Sequence, residues 1–215
     1  MSLGLLIGFG LWTAAVCLID VAAIGPMDTT VGLSTLNQWA HRITGVHLSL
    51  YVLTDWLGLV PVCISAGFGL MGLIQWISRR SIRRVDNSLL ILGCFYLTVM
   101  AFYLLFEKTV INYRPVLIEG RLEASYPSST TLLTACVMPT AMMQCRERLG
   151  KGRLRMGLLL SMAGFAVFMI LGRLWAGVHW LSDIVGGLLL SLGLVMLYAA
   201  GMDAVHRHSA QEKME

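Results

Sequence analysis

The chain has 215 residues, of which 57% are hydrophobic and 13% charged, with a mean hydropathy of +0.74. That leaves too little polar surface for a soluble domain of this length, so the composition describes an integral membrane protein. The net charge of +4 is modest, and a nucleic-acid partner would need a wider basic surface than its short basic loops provide.

Cys17, Cys63, Cys94, Cys136 and Cys145 fall in or at the ends of apolar stretches, without the clustered spacing of a zinc or disulfide framework, and read as packing residues. In chain order, residues 3–24 are the first apolar run able to cross a hydrocarbon layer of about 30 Å. No basic flank precedes this run and no small-residue cleavage site follows it, so a retained helix is expected, with Asp20 reaching the interface. Residues 25–46 are polar enough to leave the membrane. There Leu33, Leu36, Ala40 and Ile43 recur at helical spacing beside Trp39, which predicts a short helix in the interface plane. It would be either a structural cover over the bundle or a lip where a lipid enters sideways.

Residues 48–77 are apolar but broken by Asp55 and Pro61, so the spanning part is expected over 57–77, with Tyr51 and Trp56 in the aromatic belt. Arg79, Arg80, Arg83 and Arg84 then mark a cytoplasmic loop, and residues 89–106 cross outward. The run 128–145 returns to a second basic cluster of Arg146, Arg148, Lys151, Arg153 and Arg155. Residues 156–171 cross again, and 181–201 lead back to a polar tail, 203–215. The pattern is that of an all-α protein, a single domain over 1–215, with six transmembrane helices and a short interfacial helix after the first. Both termini would be cytoplasmic, in a multi-pass plasma-membrane protein.

This topology sends three polar clusters to the outer face: residues 107–115 with Lys108 and Arg114, residues 126–131 with Ser128 and Ser129, and residues 172–183 with Arg173, His179 and Asp183. His179 and Asp183 are four apart, so on a helix a carboxylate sits one turn below the imidazole, as an orienting group would. Arg173 is six residues earlier, about 240° around a continuous helix, and joins them only if the chain breaks; Gly177 supplies the break. Lys108, Arg114 and Arg173 would clamp a phosphate, and Pro127 ahead of three hydroxyl residues fits an anion site at a helix start.

With these residues assembled, the chain resembles the type 2 phosphatidic acid phosphatase, or lipid phosphate phosphatase, superfamily. That family carries Lys-x6-Arg-Pro, then Pro-Ser-Gly-His, then Ser-Arg-x5-His-x3-Asp. Here the third motif keeps its spacing as Arg173, His179 and Asp183, with Gly172 in place of the leading serine, and the motifs together span 107–187. The resemblance implies that His179 attacks phosphorus to form a phosphohistidine and that Asp183 orients its ring. Lys108, Arg114, Arg173, Ser128 and the backbone at Ser129 would hold the phosphate oxygens, with no metal or cofactor. The implied partners are membrane lipids and a lipid phosphate or lipid diphosphate substrate; the oligomeric state is left open.

Two departures qualify the match. Five residues rather than six separate Lys108 from Arg114, so strict alignment puts Glu107 at the lysine's place. Thr130 occupies the position of the second-motif histidine that protonates the leaving oxygen, and losing such a group forfeits about 10²- to 10⁴-fold in rate. A diphosphate lipid expels phosphate and needs that proton less than a monophosphate does. This predicts a bias toward polyprenyl-type diphosphates, or a substitute acid among His41, His47, Glu119 and Glu123. The alternative is a lipid-phosphate binding or transport protein that kept the clamp and lost turnover.

Overall fold

The computed structural model describes residues 2–211, and apart from one two-stranded hairpin its regular elements are helices. Helix α1 (Ser2–Leu18) is apolar all round, as suits a helix shared between lipid and neighbouring helices. It stops at Leu18, short of the expected boundary at 24. The cause is Asp20, which takes a left-handed conformation (φ 50°) and turns its carboxylate onto the next helix. There it accepts from Ser34 Oγ at 2.9 Å and from the Thr35 backbone N–H at 2.7 Å, bonds that hold its pKa below the ordinary value, that from Thr35 first. Strands β1 (Ala22–Ala23) and β2 (Thr30–Val31) pair antiparallel between these points, Ala22 opposite Val31.

Helix α2 (Ser34–Thr44) is the expected short helix. Leu36, Trp39 and Ile43 lie on its exposed side, whereas Asn37, Ala40 and Thr44 are buried. An apolar stripe facing away from the bundle, with a tryptophan in it, suits the headgroup boundary of a bilayer. Helices α3 (Leu48–Leu57) and α4 (Leu59–Arg79) follow, joined at Gly58, which itself keeps helical dihedrals. Pro61 falls in the first turn of α4, where its missing N–H costs no intrahelical bond. The segment therefore runs almost unbroken from 48 to 79, longer than the expected 57–77.

Helices α5 (Asn87–Lys108), α6 (Ser129–Arg148), α7 (Arg153–Trp175) and α8 (Leu181–Gln211) complete the bundle; α8 continues past the expected end at 201 through residue 211. Among the described residues four segments are long and apolar enough to cross a membrane, 48–79, 87–108, 153–175 and 181–205, and the chain is a multi-pass membrane protein. Helix α1 is apolar but has 17 residues. Helix α6 is long enough but not apolar, because it needs no lipid-compatible surface: it packs against α4, α5, α7 and α8, and buries Thr131, Thr134, Thr140 and Gln144 completely. Phe9, Phe95, Tyr126, Leu132, Leu190 and Tyr198 form the centre of the core where α1, α5, α6 and α8 meet.

The two ends of the bundle differ in chemistry. At one, Asp86 accepts from Arg79 at 3.0 Å and from Arg148 at 3.2 Å, tying the end of α4 and the end of α6 to the start of α5. The basic clusters lie at this end. At the other, Trp12 Nε1 donates to Ser182 O at 3.1 Å and Ser128 N to Asp183 O at 3.1 Å, so the outgoing end of α1 and the starts of α6 and α8 converge. Tyr126 locks that convergence. Its hydroxyl meets Thr13 Oγ1 at 2.7 Å, and its ring lies so close to α8 that a Cβ on Gly186 would fall 2.7 Å from it.

Candidate active site

Arg173 stands in the last turn of α7, His179 in the connection, and Asp183 in the first turn of α8. The helix breaks at Gly177, which takes φ +68° and faces Gly45 so closely that a Cβ there would lie 1.8 Å from the Gly45 carbonyl oxygen. Only glycine meets both demands. The α2–α3 junction holds this turn from outside: His47 N donates to Ala176 O at 3.0 Å, and His41 Nε2 lies 3.1 Å from Gly177 O. The His47 ring is itself directed at Thr44 O, 3.0 Å away. Both histidines named as substitute acids are thus engaged with backbone carbonyls outside the Arg173–His179 contact, as struts for the turn.

With the break in place, Arg173 Nη2 lies 3.2 Å from His179 Nε2. Arg173 is 1% exposed, and its Nη1 donates to Thr54 Oγ1 at 3.4 Å and lies 3.6 Å from Asp55 Oδ1. Its guanidinium sits over the Tyr51 ring at 5.1 Å, and that of Arg114 over the same ring at 5.7 Å. One aromatic ring thereby steadies two cations that would otherwise repel each other.

The segment between α5 and α6 folds back on itself to bring in the remaining groups. Arg114 N donates to Glu123 O at 3.1 Å and Ser125 N to Asn112 O at 2.9 Å. This pairing delivers Arg114, Asn112 and Ser125 together. Ser125 Oγ lies 3.0 Å from His179 Nδ1 and donates to Asp183 Oδ2 at 2.5 Å. The carboxylate of Asp183 also accepts from the Trp180 backbone N–H at 2.9 Å and from Asn112 Nδ2 at 3.3 Å. Behind it, Asn37 Oδ1 accepts from Ser182 N at 3.0 Å and Asn37 Nδ2 donates to Ser182 Oγ at 2.9 Å, which fixes the start of α8.

The partners assign the imidazole tautomer. A guanidinium has no acceptor, so Nε2 must offer Arg173 its lone pair, and Nδ1 carries the hydrogen and donates to Ser125. Burial first, then the positive charges of Arg173 and Arg114, hold the His179 pKa well below its ordinary value, so the ring is neutral at pH 7. Several buried polar atoms of the clamp residues have no hydrogen-bond partner among the described residues: Arg114 Nε and Nη1, Arg173 Nε and Ser128 Oγ. Arg114 Nε does lie 3.1 Å from Glu123 Oε2, an ion-pair contact without hydrogen-bond direction. Each such donor costs about 1–3 kcal/mol while unsatisfied, and an oxyanion accepting from them removes that cost. Ser128 stands at the N-cap of α6 and Ser129 opens it, so first-turn N–H groups of this helix are without helical partners.

Lys108 and Thr130 are placed differently. Lys108 is the exposed last residue of α5, and among the described contacts none joins it to Arg114, Arg173 or His179. Its neighbour Glu107 instead lines a small cavity of about 20 Å³ with Ser125, Ser129 and His179. Thr130 lines a larger, mostly apolar cavity of about 410 Å³ with Asp55, Leu59, Val62, Met100 and Val137, which runs between α4, α5 and α6. Ser125, Asn112, Asn37, Tyr51 and Asp55 all contribute to the site or its frame, and sequence reasoning gave them no such place. Asn112 had a local signal, inside the polar cluster 107–115, and so had Ser125, two residues ahead of Pro127.

The PAP2 superfamily model matches residues 89–207, more than half of the chain. Among solved structures the chain is similar to that titled the first transmembrane PAP2 type phosphatidylglycerolphosphate phosphatase from Bacillus subtilis, at 18% identity and a TM-score of 0.56, over 95% of this chain and 96% of that one. At that identity the likeness is one of fold. Comparison with curated protein sequences finds no match. The matched residues carry all three polar clusters, and on this footing the chain belongs to the PAP2 superfamily.

Proposed function

We propose that this chain is a membrane phosphatase that hydrolyses lipid phosphates or lipid diphosphates through a phosphohistidine on His179. The observation that carries the reading is the 3.2 Å contact of His179 Nε2 with Arg173 Nη2 beside buried guanidinium donors with no partner, burial and the two arginines holding the ring's pKa low. A nucleophile and the charges that stabilise a transferring phosphoryl group thereby share one pocket. Arg114 and Arg173 hold the phosphate oxygens with Ser128 and the N–H groups at Ser129, and Lys108 acts as an outer cation at the rim. Asp183 orients the imidazole and stabilises the charge it gains. The apolar cavity below Thr130 suits a hydrocarbon chain, with Leu59, Val62 and Met100 along its wall.

The bundle crosses the plasma membrane six times, α1 and α6 included, with the basic end in the cytoplasm and the site at the extracytoplasmic face. The placement of Arg79, Arg148 and Arg155 at the end opposite His179 supports that orientation. Without a histidine at 130, a diphosphate lipid such as a polyprenyl diphosphate is the favoured substrate. A panel of lipid monophosphates and diphosphates in detergent tests the reading: phosphate release by the protein, abolished by His179→Ala, supports it.

A second reading, a lipid-phosphate binding or transport protein of the same fold, is favoured by Glu107 rather than Lys108 lining the cavity beside His179. No release from any member of the panel, with orthovanadate still bound, would select it.

A further inference from the structure

Resting on the phosphatase reading above, we propose that Asp55 is the general base that activates water in the second half of the reaction, in place of the histidine absent at 130. Asp55 Oδ1 lies 3.6 Å from Arg173 Nη1, and Nη2 of the same guanidinium lies 3.2 Å from His179 Nε2. The carboxylate therefore stands on the Nε2 side of the ring, one guanidinium width from the nitrogen that would carry the phosphoryl group. It also shares the large cavity with Ser129 and Thr130. The α3–α4 junction abuts Thr130 directly, since a Cβ on Gly58 would lie 3.7 Å from Thr130 Cγ2. The Asp55 side chain is 59% exposed, close to the site end of the 48–79 segment.

The other carboxylates are placed less well for this work. Glu123 is held by Arg114, its Oε2 3.1 Å from Nε against 3.6 Å for Asp55 and Arg173, and it does not line the large cavity with Ser129 and Thr130. Glu107 lines the small cavity with Ser125 and His179 and not the large one that Asp55 shares with Thr130. Glu119 sits at a left-handed turn (φ 50°) and shares an outer cavity with Tyr51 and Asp55, but it does not line the large one in which Asp55 meets Ser129 and Thr130. Asp183 is fully buried, and its oxygens are occupied by Ser125, Trp180 and Asn112.

One proton of a water molecule passes to the Asp55 carboxylate while the water oxygen bonds to phosphorus. The phosphorus–Nε2 bond breaks, its electron pair returns to His179, and inorganic phosphate leaves. Asp55 then gives its proton to bulk water. A lipid diphosphate, whose leaving phosphate needs no acid, requires no more than this one proton transfer.

The test uses the full-length protein in detergent with radiolabelled phosphatidic acid and a radiolabelled polyprenyl diphosphate, reading protein-bound label after an alkaline quench together with released phosphate. Asp55→Asn is expected to form the labelled enzyme at the wild-type rate but to hydrolyse it about 10²- to 10⁴-fold more slowly, so that label accumulates on His179. Adding Thr130→His to Asp55→Asn is expected to restore the water step, and Asp55→Glu, which keeps a carboxylate, to retain it. Wild-type turnover in Asp55→Asn, or loss of label formation in step with turnover, would overturn the proposal; the second result would leave Asp55 as an aligner of Arg173. Absence of label in the wild-type protein would overturn the phosphohistidine reading and this inference with it, whereas the first two results leave that reading standing.

Discussion

His179 Nδ1 and Asp183 Oδ2 lie 3.8 Å apart, beyond hydrogen-bond reach, and the hydroxyl of Ser125 fills the gap between them. Orientation of the imidazole therefore passes through a serine contributed by the loop ahead of α6. Ser125→Ala leaves Nδ1–H and a buried carboxylate oxygen each short of a partner, a cost of about 1–3 kcal/mol that corresponds to roughly ten- to hundredfold in rate. The loss is expected in kcat with KM little changed, because the phosphate-binding arginines are untouched, and Ser125→Thr is expected to recover most of it. Steady-state kinetics of the three proteins check this.

The phosphate clamp makes a different prediction, one for binding. Arg114 and Arg173 present buried N–H donors without partners, so orthovanadate should bind tightly to the wild-type protein and about ten- to hundredfold more weakly after Arg114→Ala, at about 1.5–3 kcal/mol per hydrogen bond to a charged group. Arg114→Lys should recover little, since an ammonium cannot reproduce a planar fork stacked on Tyr51. Inhibition constants for vanadate give the answer directly.

A pH signature follows from the burial of His179. Its pKa is held well below the ordinary value in the fold, while in the unfolded chain it titrates near about 6.5. Below that pH the unfolded state binds more protons, so stability falls as pH falls; above it the contribution is complete. Thermal unfolding in detergent between about pH 8 and pH 5 should show a decline in wild type that is smaller in His179→Gln. Equal declines would contradict a buried neutral ring.

Gly177→Ala tests the break that brings the site together. The added Cβ meets the Gly45 carbonyl at 1.8 Å in a conformation with φ +68°, and the combination should cost about 3 kcal/mol or more. A lowered unfolding temperature together with lost activity is expected. An unperturbed variant would mean that the turn tolerates a side chain.

The residues of the third motif were legible because they are local: Arg173, Gly177, His179 and Asp183 sit within a dozen positions, and helix geometry plus one glycine predicts their meeting. The polar ends of the helices were legible for a similar reason, since a change from apolar to charged residues is a local signal. Long-range contacts were not. Asp20 ends α1 by capping a helix 14 residues downstream, and Asn37 reaches Ser182 across 145 residues. Ser125 joins His179 only after residues 109–128 fold back on themselves. Helix α6 was expected as a span on length, and that its polar face is buried inside the bundle, with Thr140 and Gln144 hydrogen-bonded there, was not legible. The ambiguity between Glu107 and Lys108 was visible as a one-residue shift in spacing. One residue is about 100° of helix, and at the end of α5 it decides which side chain lines the cavity beside His179.

Mass spectrometry of the protein quenched in alkali within its first turnover on a lipid diphosphate bears most directly on His179. A phosphoryl group on the peptide that contains residue 179, absent from His179→Ala and from Arg173→Ala, is the predicted result. Phosphate released at full rate by His179→Ala, or a phosphoryl group found on another residue, would contradict it.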